Sequence, residues 1–198
     1  MPPENSAEFV TFMEDVLDTY SRPYDPLVPV VCMDESNWQL VGEVREPIPC
    51  GIGRPLRIDD EYVRDNVGNI FMAVEPLAGK RFVSITERRT CADWASFIKM
   101  VLDDHYPDAS MVVLVMDNLN TNALVSLYKS MEKEDARRLA RRLEIHYTPK
   151  HGNWLNMAEI ELSVLKSQCL DRRIGDMDTL GREVQAWQDD RNNRIAPI

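Results

Sequence analysis

The sequence predicts an α/β domain built on a mixed sheet flanked by helices, and three observations carry that reading. Two short apolar runs rich in β-branched residues, LVPVVCM (27–33) and MVVLVM (111–116), have the length and composition of buried strands. NIFMAVEP (69–76) and RFVSITE (81–87) flank a glycine turn, LAGK, and so form a hairpin, which makes part of the sheet antiparallel. Apolar residues at helical spacing separate the remaining strands, the order expected when helices cover a sheet. With 198 residues, 44% of them hydrophobic, the chain can bury the core of one ordinary domain.

The elements follow in order. AEFVTFMEDVLDTY (7–20) places Phe9, Val10, Met13, Leu17 and Tyr20 at helical spacing until SRPYDP ends the pattern, giving a lead-in helix and linker over residues 1–26 and the main domain over 27–198. The 27–33 run then delivers Asp34 and Glu35 at its end, and Trp38, Leu40 and Val41 continue toward a second strand. Residues 45–66 hold three prolines and two glycines without periodicity and read as a loop. After the hairpin, CADWASFIKMVLDDHYP (91–107) sets Trp94, Phe97, Ile98, Val101 and Leu102 on one helical face, stopped by Pro107. Helices over ALVSLYKSM and EDARRLARRL lead to a short strand, EIHYT (144–148). Asn156–Leu170 and DTLGREVQAWQDDRNN form two last helices.

A formal charge of −10, from 23 basic and 33 acidic residues, argues against binding a polyanion by bulk attraction. The charge is unevenly spread. Residues 135–175 carry Arg137, Arg138, Arg141, Arg142, Lys150, Lys166, Arg172 and Arg173 against five acids, which is either a phosphate-facing surface or, for the first four, a solvated helix face. Cys32, Cys50, Cys91 and Cys169 form no C-x-x-C pair, so neither a zinc site nor a disulfide framework is indicated, and free thiols fit a reducing cytoplasm. No apolar run approaches the roughly 18 residues of a membrane span, and the N-terminus lacks the pattern of a signal peptide.

Three acids carry the chemistry. Asp34 and Asp117 follow apolar strands, and Glu159 opens a helix. A carboxylate where a buried strand stops sits at the lip of a sheet, open to solvent, metal and substrate. Three such groups suit Mg²⁺ or Mn²⁺, and a pair of ions about 3.5–4 Å apart can clamp the attacking and leaving oxygens of a phosphodiester. Each acid has a plainer alternative. Asp34 sits equally well in a turn, and Asp117 or Asn118 caps the next helix. Glu159, three residues after Asn156, fits a capping box. On the helical wheel Met157, Ile160, Val164 and Leu165 share an apolar arc that includes Glu161 and leaves Glu159 opposite, so periodicity alone favours Glu161 as the unusual buried acid. His151 is either a substrate contact or part of a polar turn, Trp154 either packs on DNA or joins the core, and His146 reads as structural. Gly51 and Gly53 lack the third glycine and the helix of a dinucleotide loop.

Taken as an ordered series, VVCMDE, VGEVREP, FMAVEPLAGKR, TERRT, HYPDA, VLVMDNLNT and LEIHYTPKHGNWLNMAEIELSVLKSQCLDRRI resemble the DDE transposases of bacterial insertion sequences in the mariner superfamily, in the "six-thirty" group, from about Glu8 to Asn193. The resemblance implies a ribonuclease-H-like, retroviral-integrase-like fold with a mixed five-stranded sheet flanked by helices. It places the catalytic, metal-binding acids on Asp34, Asp117 and Glu159, the last because the family glutamate follows a Leu-Asn pair by three residues, here Leu155 and Asn156. It implies two Mg²⁺ or Mn²⁺ ions. It also implies DNA as partner, both transposon ends and a TA-containing target, bound by a homodimer through residues such as Lys150, His151, Asn153, Trp154, Arg172 and Arg173. The sequence departs from the family in having Asn122 where DNLNTH usually ends in histidine. Relatives carry helix-turn-helix segments before this domain and a tryptophan-containing basic tail after it. A C-terminally truncated relic, a non-catalytic regulator that binds DNA or full-length transposase, or one frame of a frameshifted gene is the alternative reading, with another ribonuclease-H-like nuclease beside it.

Overall fold

The computed structural model describes residues 6–45, 51–54, 61–117 and 123–194. The sheet is built around β1 (Val30–Glu43), which has neighbours of opposite sense on its two sides. On one side β2 (Tyr62–Glu75) runs antiparallel to it and turns back into β3 (Lys80–Thr86). On the other, β4 (Val112–Met116) runs parallel, followed outward by β5 (Leu143–Tyr147). The order is β3-β2-β1-β4-β5. The expected hairpin and mixed sheet are therefore present.

Among the described residues, six α-helices cover both faces. α2 (Cys91–Met100), α3 (Leu124–Ser130) and α4 (Lys133–Ala140) bury Trp94, Phe97, Ile98, Leu127, Ala136 and Leu139 against Val31, Met33, Phe71 and Leu114. α1 (Ala7–Tyr20), α5 (Met157–Gln168) and α6 (Met177–Asn193) cover the other face, with Val16, Leu162, Leu165, Leu180 and Val184 against Cys32, Leu40, Ile70, Met72 and Val115. Strand side chains alternate between faces, so odd residues of the β1 start feed the first core and even ones the second. Among the described residues no helix is long and apolar enough to cross a membrane.

Several local expectations change. Asp34 does not end its strand: β1 runs on through Trp38 and Leu40 to Glu43, because beyond Cys32 it keeps β2 as a partner after β4 has been left behind. Its far half pairs with Tyr62–Val67, so part of the presumed 45–66 loop is strand. In α1 the buried residues are Val16 and Thr19, while Leu17 is exposed. The helix after Thr90 is capped by a reciprocal Thr90–Asp93 box and widens into a π turn over Val101–His105 before Pro107.

α6 also covers the outer edge of β3. Asn192 accepts from the Arg81 N–H (2.9 Å) and donates to the Arg81 carbonyl (2.8 Å), and Gln188 accepts from the Val83 N–H at 2.6 Å. Side-chain amides thus occupy backbone groups that an open edge would present to another strand.

Candidate active site

The two aspartates come together through strand register. β1 and β4 pair as Val30–Val113, Val31–Leu114 and Cys32–Val115. Two residues further along each strand stand Asp34 and Asp117. Cys32 and Val115 belong to the core under α5, and the alternation carries Asp34 to that same face. The lip of the sheet lies where β4 stops, so Asp34 occupies it from the middle of a longer strand.

Glu159 reaches this face from the first turn of α5. Its helix starts where the chain, leaving β5, makes a tight turn: His151 takes a left-handed conformation (φ 67°), and a 3₁₀ turn follows over Asn153–Leu155. Gly152 is required beside it, since a Cβ there would lie 2.5 Å from Pro149 Cγ. Asn156 then caps α5, its Oδ1 accepting from the Ala158 N–H at 3.1 Å, while its own N–H donates to the Asn153 carbonyl at 2.7 Å. No reciprocal capping box consumes Glu159, whose side chain is on the exposed side.

The electrostatics of Asp34 record the convergence. Burial, helped by the charges of Asp117, Glu159 and Glu35, pushes its carboxyl from 3.8 up to about 7, against the lowering effect of the Glu35 N–H, which donates to its Oδ1 at 2.7 Å. A carboxylate whose proton affinity is raised by burial and by like charges beside it is suited to a cation. The donor set, three carboxylates, is that of hard divalent ions. Among the described residues, no three His, Cys, Asp or Glu side chains are drawn in closely enough to hold an ion as they stand.

Glu161, the other contender, has partners of its own. The wheel located a buried acid correctly, since Glu161 is 1% exposed, although Ile160 of the same arc is 53% exposed. Glu161 Oε2 lies 2.5 Å from Nε of Arg81, itself wholly buried, and Oε1 lies 3.0 Å from Arg191 Nη2. It neutralises two arginines and ties α5 to β3 and α6. Glu35 turns to the opposite face of β1 from Asp34, its side chain 2% exposed, with Arg89 Nε 3.8 Å away.

The basic residues divide. Lys150, His151, Asn153 and Trp154 are all exposed on the turn leading into Glu159, with Trp154 at 64%. Arg172 and Arg173 lie beyond the other end of α5, a helix about 18 Å long. Arg172 pairs with Glu183. Arg173 pairs with Glu43 (2.7 Å) and lies over the Tyr62 ring. Arg138 and Arg142 are on the opposite layer, where Arg138 grips Asp103 and Arg142 donates to the carbonyls of Leu102 and Ala109. The eight basic residues therefore form no single phosphate-facing surface. Asn118 and Asn122 fall outside the described residues.

Two contacts escaped local sequence reasoning because their partners are remote. Asn156 Nδ2 donates to the Met33 carbonyl at 2.8 Å, and Tyr20 Oη donates to the Leu155 carbonyl at 2.7 Å. Both hold the junction just before Glu159.

A family model described as DDE superfamily endonuclease matches residues 29–181, a segment that contains Asp34, Asp117 and Glu159. No curated protein matches the chain. The fold is similar to the Mos1 mariner paired end complex with Mn (TM-score 0.62, 13% identity, 95% of this chain and 57% of that one). It is equally similar to the Mos1 transposase paired-end complex with left transposon end (TM-score 0.62, 13% identity, 98% and 60%). A simian T-cell lymphotropic virus intasome matches at TM-score 0.52 and 13% identity, over 83% of this chain and 50% of that one. The chain thus spans less than two thirds of the Mos1 chains it resembles. The five-stranded order, the likeness to the Mos1 fold and the family match agree on a ribonuclease-H-like architecture, and the chain belongs to the DDE superfamily endonucleases.

Proposed function

We propose that the chain is the catalytic domain of a transposase, in which Asp34, Asp117 and Glu159 bind Mg²⁺ or Mn²⁺, with room in the donor set for two ions, and direct the cutting and joining of DNA. The observation that carries this reading is geometric: the parallel register of β1 and β4 sets Asp34 and Asp117 at matching positions, and the first turn of α5, packed on that same face, carries Glu159. Bound there, divalent metal would neutralise charge that builds on the phosphate during its displacement. The chain supplies geometry. Asp34, on the central strand, faces the other two acids, and α5 brings Glu159 in from above the sheet. No covalent intermediate with the protein is required, since phosphoryl transfer depends on positioning and charge stabilisation. The reaction runs in two rounds: water displaces one strand at a transposon end and frees a 3′ hydroxyl, and that hydroxyl then attacks a TA-containing target.

Lys150, His151, Asn153 and Trp154 form the DNA-facing rim. Lys150 meets a backbone phosphate, and Trp154 offers a flat ring on which a base or sugar can stack. Arg172 and Arg173 face DNA only if it displaces Glu183 and Glu43 from them. Residues 27–198 make the catalytic unit, residues 1–26 are its lead-in helix and linker, with α1 packed on the sheet, and a homodimer holds the two transposon ends. The Mos1 structures are described as paired-end and strand transfer complexes, which supports DNA ends as the partner class.

The test is Mn²⁺-dependent nicking of supercoiled DNA by the purified chain. The wild type nicks, and Asp34→Ala, Asp117→Ala and Glu159→Ala each abolish nicking while the protein remains folded. Nicking that persists in Glu159→Ala refutes the assignment of the third acid, and a folded wild type that never nicks favours a DNA-binding regulator.

A further inference from the structure

Asn156 occupies an unusual place for a helix cap. It is 1% exposed, and each of its side-chain polar atoms bonds a different element. Oδ1 accepts from Ala158 N–H at the start of α5, and Nδ2 donates to the carbonyl of Met33, the residue immediately before Asp34. The Asn156 carbonyl in turn accepts from the Glu159 N–H at 3.1 Å. One neutral amide therefore spans the gap between the strand bearing Asp34 and the helical turn bearing Glu159.

Those two elements carry charges that repel. Glu159 stands in a first turn, where helices fray, and its charge acts on Asp34. A tether between the backbones beside them resists the separation that repulsion favours, so the acids stay within reach of a shared cation. The chemistry of the tether restricts what can fill the position. Serine caps a helix as well as asparagine but is too short to reach Met33. Aspartate caps as well but has no proton for the Met33 carbonyl, and it adds a further negative charge beside the acids.

A second clamp holds the same junction from α1. Tyr20 gives its proton to the Leu155 carbonyl, which leaves the Cys32 thiol, 3.3 Å away, to donate to the Tyr20 oxygen. Tyr20 precedes the family-matched segment, which begins at residue 29.

We infer that Asn156 is a positioning residue: its buried amide, seconded by Tyr20 from the lead-in helix, sets the separation of Asp34 and Glu159 for metal binding. This rests on the reading of those residues as metal-binding acids. The experiment compares the full chain with Asn156→Ser, Asn156→Asp and Tyr20→Phe. Mn²⁺ affinity is read by electron paramagnetic resonance, kcat and KM by nicking of supercoiled plasmid, and the start of α5 by hydrogen exchange over 157–160.

Asn156→Ser should keep its fold yet bind Mn²⁺ about 10- to 100-fold more weakly, the range for loss of a group that orients a metal ligand. Its kcat should fall with KM for plasmid unchanged, and raised Mn²⁺ should restore turnover, which a general loss of structure would not allow. Asn156→Asp should be no better, and Tyr20→Phe should shift affinity the same way by less. Wild-type Mn²⁺ affinity in Asn156→Ser or Asn156→Asp overturns the role of Asn156 and leaves the proposed function standing. If Asn156→Ser does not fold, unchanged affinity in Tyr20→Phe overturns the inference. A wild type that binds no Mn²⁺ overturns both the metal site and the tether built for it.

Discussion

Replacing Asp34 by asparagine should stabilise the metal-free protein while abolishing its activity. The carboxyl is displaced upward from 3.8 to about 7 in the folded chain, mainly by burial and further by the neighbouring acids. At about 1.4 kcal/mol for each tenfold change in proton affinity, ionising Asp34 in the native state costs up to about 4 kcal/mol relative to the unfolded chain. The sign follows from proton counting. Between those two values the native state holds the proton and the unfolded state has lost it, so stability falls as pH rises from about 4 and levels off above about 7. Asparagine keeps the oxygen that accepts from the Glu35 N–H and has no charge to lose. Discounting for partial solvent access, Asp34→Asn should be about 2–4 kcal/mol more stable than wild type near pH 8 in chelator, relative to their difference near pH 4. Urea unfolding of both proteins at the two pH values measures this. Adding Mn²⁺ at pH 8 should stabilise only the wild type. Parallel pH profiles for the two proteins would refute the claim that Asp34 is a strained carboxylate facing other negative charge.

The two glutamates of α5 should separate cleanly. Glu161→Ala leaves the wholly buried Arg81 without its acid and should cost about 3–5 kcal/mol in chemical unfolding. Glu159→Gln, on the exposed side, should change stability by no more than about 0.5 kcal/mol yet eliminate nicking. A destabilised Glu159→Gln beside an unaffected Glu161→Ala would reverse the assignment. On the β3 edge, Gln188→Ala and Asn192→Ala should each lose about 1–3 kcal/mol and speed hydrogen exchange of Val83 and Arg81 respectively. Unchanged exchange at those two amides would show that α6 does not guard the edge.

Much of the fold is legible in the sequence because its signals are local. The β-branched runs before Asp34 and Asp117, the LAGK turn and the apolar faces of the helices each specify their own element. What escaped depends on pairing between distant segments. Asp34 looks like a strand terminus because the apolar run stops there, but β1 continues on its bonds to β2, whose early residues, Tyr62–Val67, carry too little alternation to announce a strand. The helical wheel found the buried acid of α5, Glu161, but not the partners that bury it. Arg81 and Arg191, 80 residues before and 30 after Glu161, are what make that burial tolerable. Likewise the cap at Asn156 is visible in LNMAE, whereas its second bond, to Met33, spans 123 residues. Arg172 and Arg173 read as a basic pair, and only the fold brings Glu183 and Glu43 to them. Motif resemblance supplied the choice of Glu159, and the ion pairs of Glu161 give that choice a physical reason.

The central claim, that Asp34, Asp117 and Glu159 form one divalent-metal site, is tested most directly by a crystal structure soaked in Mn²⁺ and measured for anomalous scattering. Manganese peaks are expected between Asp34 and the other two acids, with all three carboxylates within coordinating distance and Glu161 still held by Arg81 and Arg191. Manganese bound elsewhere, or at Glu161 in place of Glu159, would contradict it.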